Sequence, residues 1–204
     1  MFRIFSLCFF LTFLACHRGG PPEGFSFQDA VSFELEGTGQ TLKLPPSFFE
    51  SSKYRLERDI REVLFDSTSI QVLDRFINWI EFDDSDINIF VDTTERMSLL
   101  ILVDMERIPF DQASGNFAAA KLKQENEQIA ALHPEINIEK TLSDFRSHED
   151  LRMMRFVYHF NYPSSPENSW YRSIYFLTND SRSFVAHEFS LQQTDVSDYL
   201  WSLK

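Results

Sequence analysis

Cysteine is almost missing from this chain. Among 204 residues there are two, Cys8 and Cys16. No CxxC pair exists, so a dithiol redox centre and a Cys-ligated metal site are excluded. Glycine is scarce as well, with six residues, and no glycine-rich phosphate loop of the GxGxxG or GxxxxGK[ST] kind occurs. HExxH and GxSxG are also absent, which removes the zincin and nucleophile-elbow signatures. Positive charge is in deficit: 19 Lys and Arg stand against 31 Asp and Glu, a formal net charge of −12. The acidic residues run along the whole chain. Nucleic-acid binding wants a basic stripe, so that class is disfavoured. No apolar run reaches the length of about 20 residues that a membrane-spanning helix needs.

The residues that are present begin with a short apolar segment. Arg3 supplies a positive start, and Ile4–Leu14 is apolar except at Ser6, Cys8 and Thr12. That length suits the hydrophobic region of an export signal. The segment ends in Phe13-Leu14-Ala15-Cys16, which resembles the lipobox of bacterial lipoproteins. An ordinary secretory cut needs small residues at positions −3 and −1, and Phe13 fits that pattern worse. The resemblance implies that residues 1–15 are a signal peptide. Cys16 would then be the lipid-modified first residue, carrying palmitate-like acyl chains, each methylene adding about 0.8 kcal/mol to membrane attachment. His17, not Asp, follows Cys16, which in well-studied lipoproteins points to the outer membrane. Residues 16–24 (Cys-His-Arg-Gly-Gly-Pro-Pro-Glu-Gly) read as a flexible tether. Residues 25–204 read as one domain.

Within that domain the periodicities alternate between two and about 3.6. Strands are expected over Phe25–Leu35 and Thr41–Leu44, with Glu36-Gly37-Thr38-Gly39 as the turn and Pro45-Pro46 as the stop. Amphipathic helices are expected over Tyr54–Phe65 and Val72–Ile80. Ile87–Val91 and Met97–Val103 read as a hairpin. Ser98–Val103 is apolar on both faces, so it should be a central strand. Asn116–Leu132 reads as a helix ended by Pro134. Strands then follow near Ile136–Phe145, Leu151–Tyr162, Trp170–Thr178 and Ser183–Leu191, and a short helix over Val196–Leu203 closes the chain. This is an α+β class, a mostly antiparallel β-sheet covered by helices.

The order of elements resembles the PsbP-like α-β-α sandwich. The features that carry it are Leu44-Pro45, the Ile87–Val103 hairpin, the Asn116–Leu132 helix, and the paired strands before Tyr199-Leu200-Trp201. The chain is also similar in general shape to small lipoproteins of Bacteroidetes-type bacteria. Those lipoproteins often have no known function, while the PsbP-like resemblance implies a binding or assembly-assisting module with no catalytic centre; no cofactor is expected.

Three constellations invite a site. Asp84, Asp86, Asn88, Asp92 and Glu95 fall at the oxygen-ligand spacing of an EF-hand loop. Ile89 stands where that loop requires glycine, and a strand follows where it requires a helix, so an acidic turn leading into a buried strand is the better reading. His133, His148, His159 and His187 are scattered. His159 and His187 fall on strands that could neighbour each other, but Glu188 must point to the face opposite His187. Sheet-surface histidines are expected, and no metal site. Finally, Phe156, Tyr158, Phe160 and Tyr162, with Trp170, Tyr171 and Tyr175, form an aromatic stripe. It serves either as a sheet face packed under a helix or as an apolar ligand groove.

The sequence therefore points to a non-enzymatic envelope module, anchored at Cys16 and working through a protein partner. A carrier for an apolar ligand and a hydrolase with an unrecognised site are the alternatives.

Overall fold

The structure, a computed structural model, describes residues 21–22, 25–52, 54–56, 58–59, 87–92, 94 and 98–203. Its centre is a seven-stranded antiparallel sheet. In chain order its strands are β3 (Phe48–Ser51), β4 (Ile87–Asp92), β5 (Ser98–Met105), β6 (Asn137–His148), β7 (Leu151–Asn161), β8 (Trp170–Thr178) and β9 (Ser183–Ser190). Their spatial order is β3-β4-β5-β9-β8-β7-β6. A separate hairpin joins β1 (Val31–Glu34) to β2 (Thr41–Leu44). Helix α1 spans Gln112–Leu132, and α2 is one turn at Ser197–Leu200. The class is α+β, a large antiparallel sheet with layers on both faces.

The two faces follow from the two-residue period. Met154, Phe156, Tyr158 and Phe160 of β7 share one face with Ile174, Phe189, Leu99 and Ile101, and Leu122 and Ile129 of α1 join that core. Leu100, Leu102, Met153, Tyr175, Leu177 and Phe184 share the other. Leu42 and Leu44 of β2 and the C-terminal residues Val196, Leu200, Trp201 and Leu203 cover it. Full burial of a leucine-sized side chain contributes about 2 kcal/mol. Such anchors hold α2 in place, because one helical turn has no stability of its own. Helix α1 opens on a capping box. Asp111 accepts from the Ser114 amide at 2.8 Å, and Ser114 Oγ accepts from the Asp111 amide at 2.8 Å.

Several expectations need correction at the edges. Only Val31–Glu34 of the Phe25–Leu35 stretch pairs as a strand. Phe25 and Phe27 instead pack edge-on to each other at 5.2 Å, and Phe25 packs on Tyr199 at 5.1 Å. An unforeseen strand, β3, pairs with β4 directly after the proline stop. β6 runs to His148, so the turn is Glu149-Asp150. The closing helix is shorter than the expected Val196–Leu203. Of the helix expected over Tyr54–Phe65, residues 54–56 and 58–59 are helical. The rest of it, and Val72–Ile80, lie outside the described residues.

Candidate functional site

Cys16 and the tether, apart from residues 21–22, lie outside the described residues. So do Asp84, Asp86 and Glu95 of the calcium-like loop. The other two members sit on β4 with Phe90 between them. Asn88 Oδ1 accepts from the Glu36 amide at 3.1 Å. Asp92 accepts from the amide and the hydroxyl of Thr94, at 3.0 and 2.7 Å. Asn88 and Asp92 stand four positions apart on the strand, about 13 Å. Neither side chain turns to a shared ion, and among the described residues no group of three metal-binding side chains forms.

The histidines are also apart. β8 lies between β7 and β9, so His159 and His187 do not neighbour each other as they could have. His159 stacks on Tyr171 at 4.5 Å. His187 belongs to the opposite face, with its Nδ1 enclosed and without a partner. The residue as a whole is half-buried, against the sheet-surface placing expected for it, and burial of the ring, seconded by the charge of Arg172, lowers its pKa to about 3, so the ring is neutral near pH 7. His133 pairs with Glu135 at 3.3 Å, and His148 meets Trp201 edge-on at 6.0 Å.

The aromatic stripe is core. Phe156, Tyr158, Phe160, Tyr162 and Trp170 are all buried, with Phe160 stacked on Trp170 at 3.7 Å. Tyr175 leaves the stripe, because its odd position on β8 turns it to the other face. There its hydroxyl donates to Glu188 Oε2 at 2.7 Å.

Glu188 is fully buried. Its Oε1 accepts from Ser98 Oγ at 3.2 Å and from Thr194 Oγ1. Burial raises its pKa despite these three donors. Beside it, Arg155 binds Asp195 and, at 3.2 Å, Asp144. Burial opposes the charge of Arg155, and the two carboxylates outweigh it and raise its pKa. Burial likewise opposes the charge of Asp195, but the hydrogen bonds from Ser197 and Arg155 lower its pKa on balance. Thr194 and Asp195 thus tie the C-terminal segment to β5, β7, β8 and β9. This network is closed and internally satisfied, which makes it a clasp.

One open feature lies on the helix side. A groove of about 500 Å³ separates α1 from the β6–β7 pair. Ala119, Ala120 and Ala130 line it from the helix, and Ile138 and Tyr158 from the sheet. Lys123 and Lys140 stand exposed along it. Asn126 also lines it and is 8% exposed, with an enclosed Nδ2 that has no partner. Tyr158 pairs in register with Arg172 of β8. The Arg172 side chain is 8% exposed, and its Nη1 donates to Glu125 Oε1 at 2.8 Å, while Glu125 is 44% exposed. Arg172 Nε is enclosed and has no acceptor. Sequence reading missed this arrangement. Its one legible trace was a lone arginine at an inward position of an otherwise apolar strand.

No family model and no curated protein matches the chain. Among solved structures, the chain is similar to the Ran-binding protein Mog1p of Saccharomyces cerevisiae. The TM-score is 0.41 at 10% identity, over 80% of this chain and 78% of that one. A point mutant of Mog1 gives 0.42 at 12% identity, over 81% and 79%. A likeness this loose says nothing of partners.

Proposed function

We propose that this protein is a lipid-anchored envelope lipoprotein, acylated at Cys16, whose domain acts by non-covalent contact with an envelope protein and not by catalysis. The observation that carries the reading is Phe13-Leu14-Ala15-Cys16 ahead of a glycine- and proline-rich tether. The clasp supports the non-catalytic part: its buried acid is already engaged by three hydroxyls and serves to fasten the chain terminus.

The anchor also limits how far the domain stands from the membrane. Nine residues, Cys16 to Phe25, span about 30 Å at most. Phe25 and Phe27 pack on Tyr199, and Lys43 lies over the Phe27 ring at 5.3 Å. The tether therefore roots on the side of β2 and α2. That side lies nearest the anchor, and α1 with its groove lies on the other face of the sheet, open to a partner. Outer-membrane sorting fits His17.

The test has two arms. Metabolic labelling with an alkyne fatty acid should mark the native chain and lose the mark in Cys16→Ala. Affinity capture from solubilised membranes should recover a stoichiometric partner with the native chain and less with the mutant. An unlabelled native chain refutes the anchor, and capture of the chain alone refutes the assembly role.

A further inference from the structure

A strand at the rim of a sheet presents open backbone N–H and C=O groups, and proteins normally blunt such an edge. The seven-stranded sheet ends in β3 on one side and β6 on the other. β3 is blunted by its length of four residues. β6 has twelve residues, and among the described residues no strand pairs with its outer edge. A bulge between Lys140 and Leu142 twists its first part. From Leu142 to His148 its register with β7 is unbroken, which leaves a straight open edge. Phe145, at the middle of that stretch, is 39% exposed.

The stretch is complementary to itself. Ser143-Asp144-Phe145-Arg146-Ser147 is a palindrome in which the two ends carry opposite charges. Laid antiparallel against a copy of itself about Phe145, it sets serine opposite serine, phenylalanine opposite phenylalanine, and each Asp144 opposite an Arg146. The faces agree as well. Phe145 pairs with Met154, which belongs to the helix-side core, so Asp144 and Arg146 lie on the other face. A two-fold axis normal to the sheet keeps every residue on its own face, as a self-complementary contact requires. Directly opposite side chains have Cβ atoms about 4.5–5.5 Å apart, against about 7 Å for positions two apart on one strand. Arg146 already donates to its own Asp144 at 2.8 Å. The Asp144 of a second copy comes within the same reach, so four charges close a ring. A lone charge on an edge repels a second strand, whereas this pair selects one identical to itself.

We propose that the protein self-associates through β6, with Leu142–His148 of two copies pairing antiparallel about Phe145, so that the two sheets become one. Both α1 helices then lie on one face of the joined sheet. The junction needs neither acylation of Cys16 nor another envelope protein, so either reading can fail without the other. Two chains of net charge −12 repel each other at long range. The pairing therefore strengthens as salt screens that repulsion, with a screening length of about 8 Å at about 0.15 M.

The experiment is sedimentation equilibrium of the full chain in detergent at about 0.15 M salt, over a wide range of concentration. A monomer–dimer equilibrium is expected. Phe145→Lys and Phe145→Glu each set two like charges face to face across the axis, and each should weaken the dimer at least about tenfold. Mixed together, these two variants set opposite charges face to face and should recover a heterodimer, read by energy transfer between differently labelled chains. Arg146→Asp sets like charges opposite each other on the other face and should weaken the dimer by a similar factor, which keeps the test decisive if a Phe145 variant does not fold. A native chain that stays monomeric throughout overturns the proposal. So does a dimer that survives all three variants, because it must form elsewhere. A mixture that associates no better than its parts overturns the register about Phe145.

Discussion

The Tyr175 hydroxyl donates to Glu188 Oε2 at 2.7 Å between two adjacent strands, β8 and β9, on the face covered by the C-terminal segment. Both groups have their pKa raised above the ordinary value. Burial, with the neighbouring Glu188 charge, holds the Tyr175 phenol well above its ordinary pKa, so it remains a donor. The pair therefore couples sheet registry to the ionisation of one enclosed acid.

Glu188 should give the protein a stability that falls as pH rises. Its folded pKa lies above the ordinary 4.5. Its contribution is thus fully present below about pH 4.5 and is lost as pH climbs through the raised value. Glu188→Gln cannot ionise. The stability gap between wild type and Glu188→Gln should therefore shift in favour of the variant from pH 4.5 to pH 8. Urea midpoints of both proteins across that range are the measurement, and a gap that stays constant would refute burial as the cause. Tyr175→Phe removes one donor and should cost about 1–3 kcal/mol.

Arg155 should behave as a partly solvated ion cluster. It is 8% exposed, but Asp144 and Asp195 are 26% and 45% exposed. Removing one partner of a wholly buried pair costs about 3–5 kcal/mol, and exposed pairs contribute about 0–1. Arg155→Met should fall between, near 2 kcal/mol. Adding Asp195→Asn relieves the abandoned charge and should recover about half of that. A double-mutant cycle reads the coupling directly, and additive losses would mean that Asp195 and Arg155 merely lie close.

Gly115 is the close contact between α1 and the sheet. A Cβ there would lie 2.7 Å from Met154 Cε and 3.1 Å from its Sδ. Alanine gains about 1 kcal/mol over glycine within a helix. The methionine tip is flexible and can move aside, at some cost in a packed core. Gly115→Ala alone should leave the melting temperature nearly unchanged. In a Met154→Ala background the same change should be stabilising by about 1 kcal/mol, or roughly 2–4 °C. Equal effects in both backgrounds would show that Met154 does not oppose the methyl group.

Much of the fold was legible because hydrophobic period reports it directly. Trp170–Thr178 forms the strand expected there, and the two-sided apolar run Ser98–Val103 forms the third strand of seven. Misses arose where pairing partners decide the outcome. Phe48–Ser51 is four residues long and becomes a strand only because β4 lies beside it. Phe25 and Phe27 alternate like a strand, yet an aromatic contact with Tyr199, far along the chain, captures them. The site was harder to read. The neighbourhood of His159 and His187 depended on strand order, and β8 intervenes. Glu188 meets Thr194 and Ser98 through register and chain course that no local pattern encodes.

The turn between β6 and β7 stores a small backbone strain that can be released. His148 pairs with Leu151, so Glu149 and Asp150 alone make the reversal. Glu149 holds φ at +52°, the left-handed region. A side chain with Cβ meets the following carbonyl there, at a cost of about 1–2 kcal/mol. Asparagine tolerates this region best among residues with a side chain, and a β-branched residue tolerates it worst. Glu149→Asn should therefore stabilise the protein by about 0.5 kcal/mol and Glu149→Val should destabilise it by about 1. Glu149→Gly should fall close to Asn, because relief of strain is partly offset by the greater freedom of the unfolded chain. Melting temperatures of the three variants give the order, and a valine variant as stable as the asparagine one would mean that the turn carries no such strain.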